Sequence, residues 1–313
     1  MNDIYFYDLD FNLLYILPNF GVDRGYISVN TKEEFNGSGS VEIVFIDNEL
    51  KAIIRQQRDD LIVVWKDFTG FITSYQFNKQ CRLTGMSLNG LLHRCVIPQT
   101  VTELTGDVET LARSALFPAN AASPVPWLTP GEITGFTNTV KYSTDNYLTA
   151  DTYIQDLLVK DGAGYAITAD FENKTFIFTV LKATENPLII SEGNLNAYNP
   201  VETYINKDLA YGGWYKDSEE EWHYINPDGK TGIYKIDTVL SSETEAEALE
   251  ELSTLKSKSE LTVETKTLMH GEDYKLGDIV RVQHDGLTVQ KKITAFEMWA
   301  DKGSGEQPIL EEV

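Results

Sequence analysis

The chain has 313 residues, 42% of them hydrophobic, and a formal net charge of −22. That length allows two or three domains and that hydrophobic content allows packed cores, so the chain is not disordered in spite of its charge. The acidity argues against a basic face that reads nucleic acid and against an anionic membrane surface as partner.

The chain opens on Met1-Asn-Asp-Ile-Tyr-Phe-Tyr-Asp8, which has neither the basic start nor the apolar run of a secretory signal. No segment reaches the roughly 18 uninterrupted apolar residues of a membrane span, so no membrane insertion is expected. Cys81 and Cys95 are the two cysteines, and both are read as buried free thiols.

The first hundred residues carry strand patterns. Ile4–Tyr7 and Leu13–Leu17 flank the turn Asp8-Leu-Asp-Phe-Asn12, and Val41–Ile46 alternates Val41, Ile43 and Phe45 on one face. Leu61–Trp65 and Phe71–Tyr75 form a hairpin across Lys66–Gly70, and Gln80–Thr84 follows. Ser87 is placed to cap a short helix through Leu91, Leu92 and Arg94. Short strands at this spacing suggest an antiparallel barrel, closed or nearly so.

The middle third changes character. Asp107 caps a predicted helix whose stripe is Val108, Leu111, Ala112, Ala115 and Leu116, stopped by Pro118. Residues 119–131 read as a Pro- and Ala-rich loop around Trp127. A second helix spans Asp151–Lys160, with Gly162 as its stop, and a hairpin pairs Gly164–Ala169 with Thr175–Lys182 across Glu172-Asn173-Lys174.

The last third returns to β structure. Tyr204–Tyr215 and Trp222–Ile225 are aromatic-rich strands separated by the acidic tip Asp217–Glu221, read as a solvated turn and not a metal site. A helix is predicted over Ser242–Ser257, with a Ser242/Glu245 capping box and Lys256 and Lys258 near its end. Strands at 261–265, Ile279–Gln283 and Leu287–Phe296 follow, the last two joined by an Asp285-Gly286 turn. The acidic tail Glu306–Val313 is expected to fray. The stretch His270–Val282 stands out as a polar turn running into a strand, with Gly277 supplying a permissive backbone where Leu276 swings back toward the core. The expected architecture is mainly β with an α+β insert: two barrel-like β domains, 1–98 and 191–313, flank a small α+β domain, 99–190. The last domain carries the one helix near 242–257.

Chemistry is sparse. His93, His223, His270 and His284 show no zinc spacing, and no Walker loop, dinucleotide fingerprint or nucleophile elbow occurs. His93 and Cys95 are a thiol and a base by type, but two residues apart they are poorly aimed at each other. Paired carboxylates for glycoside hydrolysis depend on spatial separation, which the sequence leaves open. No catalytic, cofactor or metal residue is assigned, no cofactor is expected, and the chain is not expected to be an enzyme.

Four segments, in order, resemble the tailed-bacteriophage baseplate hub family of siphophages, whose longer members are tail-associated lysins. They are Gln80–Pro98 closing the first β module, Tyr153–Leu158 through Thr175–Val180, Ile189–Tyr198 leading to Gly212-Gly-Trp-Tyr215, and Gly271–Val280. Together they span essentially the whole chain. The resemblance implies a virion protein, made in the bacterial host cytoplasm. It implies a homotrimer whose six similar domains form a ring between a six-fold tail tube with its distal tail protein and a three-fold tip. The tape measure protein would lie above and a spike or fibre below, with DNA passing through but not specifically bound. Carboxylates lining the bore would repel it. Trp214, Tyr215 and Trp222 are the candidate interface residues if exposed, and barrel core if not. The family's lytic activity resides in C-terminal domains beyond the hub and is not expected in this chain. Two other readings remain: a wall-degrading endopeptidase or lysin, and a glycan-binding module stacking sugars on Trp127 or Trp222.

Overall fold

The structure, a computed structural model, describes residues 3–19, 25–57, 60–98, 100–191, 193–194, 201–205, 209–255, 258–262, 268–284, 287–301 and 303–313. The chain divides into two compact units, one built from residues 1–200 with 263–311 and the other from residues 201–262. The Asp285-Gly286 turn, Lys256, the end of the 261–265 strand and residues 195–198 of the third resemblance segment lie outside the described residues.

The first unit begins with β1 (Ile4–Tyr7), β2 (Leu13–Leu17), β3 (Tyr26–Glu34), β4 (Ser40–Phe45), α1 (Asn48–Gln57), β5 (Leu61–Trp65), β6 (Phe68–Phe77) and β7 (Cys81–Ser87). The turn before β6 is shorter than the sequence suggests, since Trp65 and Phe68 already pair. Helix α1 is absent from the sequence-based reading because its turns are mostly polar. Buried Asp47 starts it by accepting from the Glu49 and Leu50 amides at 2.8 and 3.0 Å, while Leu50 and Ile54 face inward.

A 3-10 helix (Leu88–Arg94) follows, then β8 (Val96–Ile97), β9 (Val101–Gly106), α2 (Val108–Leu116), β10 (Leu128–Pro130), β11 (Val140–Thr144), β12 (Leu148–Thr149), α3 (Ala150–Val159), β13 (Gly164–Asp170), β14 (Thr175–Leu181) and β15 (Thr184–Ile190). Ser87 holds the cap position of the 3-10 helix without bonding to it, whereas Asp107 caps α2 through the Thr110 amide at 2.8 Å. The stripes of α2 and α3 pack with β13 and β14 into one apolar core centred on Ala112, Leu116, Ile154, Leu157 and Phe178. Buried Asn89 ties this part to the sheet: its amide donates to Gly37 O and Tyr165 O, and its oxygen accepts from Ile167 N at 2.8 Å.

In the second unit β16 (Val201–Ile205), β17 (Gly212–Lys216), β18 (Trp222–Ile225) and β19 (Asp237–Val239) precede α4 (Glu245–Thr254) and β20 (Lys258–Thr262). Its capping box is Thr244 with Glu247, not Ser242 with Glu245. Ser242 is drawn off because its hydroxyl donates to Glu251 at 2.6 Å, one of four contacts by which Ser241 and Ser242 bind that carboxylate.

The chain then returns to the first unit as β21 (Asp278–His284), β22 (Leu287–Ala300) and β23 (Ser304–Glu312). Strand β22 pairs antiparallel with β3, giving the order β23-β22-β3-β4-β7-β6-β5-β1-β2, with β21 beside β22 and β15 beside β21. The expectation of a mainly β chain with an α+β part holds. One large sheet dominates, with smaller two- and three-stranded sheets beside it, and among the described residues no strand pair closes the large sheet into a barrel. The tail is a strand, not a frayed end: β23 buries Pro308 and Leu310, and Glu306 on the same face bonds the 270–278 turn. No helix of the described residues is long and apolar enough to cross a membrane.

Candidate functional site

In the second unit β17 is the central strand of a three-stranded sheet. Antiparallel pairing sets Trp214 opposite Tyr224 and Lys216 opposite Trp222, and parallel pairing sets Trp214 beside Val239. Side chains alternate along a strand, so Trp214, Lys216, Trp222, Tyr224 and Val239 share one face and Tyr215 and Ile225 share the other. The second face packs on α4: Tyr215 (7% exposed), Ile225, Leu240, Ala248 and Leu252 form a small core. Among the described residues of this unit nothing covers the first face, where Trp214 is 41%, Trp222 54% and Val239 68% exposed. The Trp214 and Tyr224 rings lie 4.9 Å apart, and Lys235 sits 4.5 Å over Tyr224 while bonding Asp237 at 2.7 Å. The three aromatic residues singled out in the sequence therefore separate. Tyr215 is core, while Trp214 and Trp222 join Tyr224 and Val239, which the sequence reading passed over, in an apolar face of the kind that marks contact surfaces.

The acidic tip beside this face is a self-contained turn. Asp217 accepts from His223 Nε2 at 2.7 Å and from the Glu219 and Glu221 amides at 2.9 and 3.0 Å, and these bonds lower its pKa. Among the described residues no group of three or more acidic, histidine or cysteine side chains is arranged to hold a metal ion.

Reactive constellations in the first unit resolve into structural pairs. His93 Nδ1 meets Asp151 Oδ2 at 2.8 Å, not Cys95. Burial pushes the Cys95 thiol up, which Trp127 and Arg94 only partly offset, the reverse of an activated thiolate. A groove of about 540 Å³ on the polar side of the large sheet is lined by residues such as Asn30, Lys32, Glu42, Thr84, Glu297 and Trp299. Lys32 pairs with Glu34 and Arg82 with Glu42, so its charges are largely matched locally.

The turn at 270–278 is likewise built for architecture. Asp273 accepts from the Met269 amide at 2.8 Å. Buried Asp278 accepts from Lys275 N at 2.9 Å, Asn186 Nδ2 at 2.7 Å and the Thr184 hydroxyl at 3.1 Å, pinning β15 to β21. Glu272 is exposed. Gly277 adopts φ +87°, and a Cβ there would stand 2.3 Å from the Phe35 ring. The side chain that turns into the core is Tyr274; Leu276 is half-buried.

No protein-family profile matches the sequence, and a search of curated proteins gives no match. Solved structures do match over the whole chain. A tail protein from Neisseria meningitidis MC58 superposes with a TM-score of 0.61 at 14% identity, covering 99% of this chain and 96% of that one. Prophage tail protein gp18 from Listeria monocytogenes gives 0.58 at 13% identity, covering 100% and 95%. The 43 kDa tail protein of prophage MuSo2 from Shewanella oneidensis gives 0.56 at 11%, covering 100% and 98%. The fold is that of phage tail proteins.

Proposed function

We propose that the chain is a structural component of a phage-type tail baseplate, a hub whose copies form a trimeric ring between the six-fold tail tube with its distal tail protein and a three-fold tip. The full-length likeness to three tail proteins carries this reading. The tape measure protein and a tip spike or fibre complete the set of partners, DNA passes through the ring without specific binding, and the protein acts in the virion after synthesis in the host cytoplasm. A ring of identical chains needs heterologous contacts between unlike surfaces. The Trp214/Trp222 face of the second unit is the proposed contact, since exposed tryptophans on a flat sheet are the residue type that dominates interface energetics.

The test is a mass measurement of the purified chain, alone and with its distal tail partner, followed by electron microscopy of tail tips. A trimer located at the tip is the expected outcome; a strictly monomeric chain absent from tips would defeat the proposal. Incubation with host peptidoglycan and whole cells completes the test. Turnover of the wall would favour an endopeptidase, and saturable binding lost on Trp222→Ala would favour a glycan-binding module.

A further inference from the structure

At the end of β6, Tyr75 pairs with Leu83 and Phe77 with Cys81 of β7. Both partners are buried, so the two aromatic side chains lie on the inward face of the sheet. They stack on each other, with ring centres 4.8 Å apart and planes 24° from parallel. Tyr75 nevertheless stays 48% exposed. Helix α1 lays two cations over this pair: Lys51 Nζ and the Arg55 guanidinium each stand 5.4 Å from the centre of the Phe77 ring. Their spacing of four residues puts both on one face of the helix, where like charges repel, and the negative face of the ring offsets only part of that repulsion. Among the described residues no ion pair reaches either cation. Asp47, just before α1, is held by the Glu49 and Leu50 amides and the Tyr15 hydroxyl, and Glu42 is taken by Arg82. In a chain of net charge −22 this is a cationic, aromatic patch without a counter-charge.

The Trp214/Trp222 face of the second unit carries the complement. Exposed Trp222 directly follows the acidic tip. Within that tip Asp217 is bonded to His223 and Glu220 to Lys216. Glu219 and Glu221 are exposed, and among the described residues no ion pair reaches them. One surface therefore offers two carboxylates beside a tryptophan, and the other offers two cations over a pair of stacked rings.

We propose that the Lys51/Arg55/Tyr75/Phe77 patch on the first unit of one copy seats the Trp222 end of the second unit of a neighbouring copy, with Glu219 and Glu221 paired to Lys51 and Arg55. The inference rests on the ring reading above and supplies its other half, since a heterologous contact needs a surface unlike the Trp214/Trp222 face to receive it. The charge pairs fix register and orientation, and the stacked aromatic and guanidinium groups supply the adhesive centre.

The experiment is sedimentation velocity of the full chain over a concentration series at low and high salt. The parent is expected to associate less tightly as salt rises. Lys51→Glu with Arg55→Glu should weaken association at least about tenfold, and so should Glu219→Lys with Glu221→Lys. Joining all four changes should restore association to within about threefold of the parent, because the two reversals compensate only if the groups meet. Circular dichroism of each variant checks that the fold is kept. A parent that stays monomeric at every concentration defeats the ring reading and this contact with it. A parent that associates, and a Lys51→Glu/Arg55→Glu chain that associates as tightly, leave the ring standing and overturn the contact. Failure of the fourfold variant to recover overturns it too. So does recovery of the Lys51→Glu/Arg55→Glu chain by Glu243→Lys with Glu245→Lys, which would make α4 the partner surface.

Discussion

Tyr274 donates its hydroxyl to Glu306 at 2.7 Å, joining the 270–278 turn to the last strand across thirty-two positions of sequence. The same carboxylate oxygen accepts the His270 amide at 2.6 Å, so one side chain of β23 satisfies two groups of the turn. Burial and the Glu306 carboxylate together hold the Tyr274 phenol far above its ordinary pKa, so it remains a donor at any physiological pH. Tyr274→Phe removes one bond and leaves the other. Glu306→Ala strands a buried hydroxyl and an amide together. The expected losses are about 1 kcal/mol for Tyr274→Phe and about 3 kcal/mol for Glu306→Ala. Urea unfolding of both variants checks the order; equal losses would mean that Glu306 is not the shared acceptor.

Glu109 makes a second prediction. It is buried on α2 and accepts from the Thr134 and Gly135 amides, both at 2.8 Å, while Arg113 one turn on pairs with it and donates to Gly131 O at 2.9 Å. A helix carboxylate thus holds the loop that follows β10. Removing the carboxylate leaves Arg113 and two amides poorly matched, so Glu109→Ala should cost about 3–5 kcal/mol. Glu109→Gln keeps one acceptor oxygen and should cost less. Thermal unfolding by circular dichroism separates the two, and limited proteolysis near 131–135 should report the loosened loop in both.

The capping box of α4 gives a third. The Thr244 hydroxyl accepts the Glu247 amide at 3.4 Å, and Glu247 accepts the Thr244 amide at 3.1 Å. Thr244→Ala is expected to cost about 1 kcal/mol, and Glu245→Gln, outside the box, a few tenths. If instead Glu245→Gln is the costlier change, the helix starts two residues earlier than the structure places it.

These cases also show what the sequence could and could not reveal. Helices α2 and α3 were legible because each carries its stripe and its stop signal within a dozen residues. The α4 start was misplaced because Ser242 and Thr244 both fit the capping pattern, and the choice is made by Glu251 one helical face away. The pairing of β22 with β3 was invisible, since Met298 and Thr31 are neighbours only in space. A tail rich in glutamate reads as solvated until Pro308 and Leu310 are seen to alternate inward. At the candidate contact face the aromatic residues were legible but their directions were not. Consecutive residues on a strand point oppositely, and Trp214 and Tyr215 are equally suited to a core until the position of α4 decides between them.

That division yields the last prediction. Trp214 and Trp222 are exposed within the chain and make no contribution to the core between the sheet and α4, whereas Tyr215 is part of it. Replacing both tryptophans with alanine should therefore leave unfolding of the monomer within about 0.5 kcal/mol of the parent. If the face is the subunit contact, the same change should weaken self-association at least about tenfold, as loss of a central aromatic anchor does. Tyr215→Ala should behave oppositely, destabilising the second unit by about 3–5 kcal/mol by opening a cavity beneath the sheet. Sedimentation velocity over a concentration series, paired with urea unfolding of the dissociated chain, reads both quantities on the same samples. A double tryptophan variant that assembles as tightly as the parent would move the contact to another surface, while loss of monomer stability in that variant would mean the outer face is packed and not free.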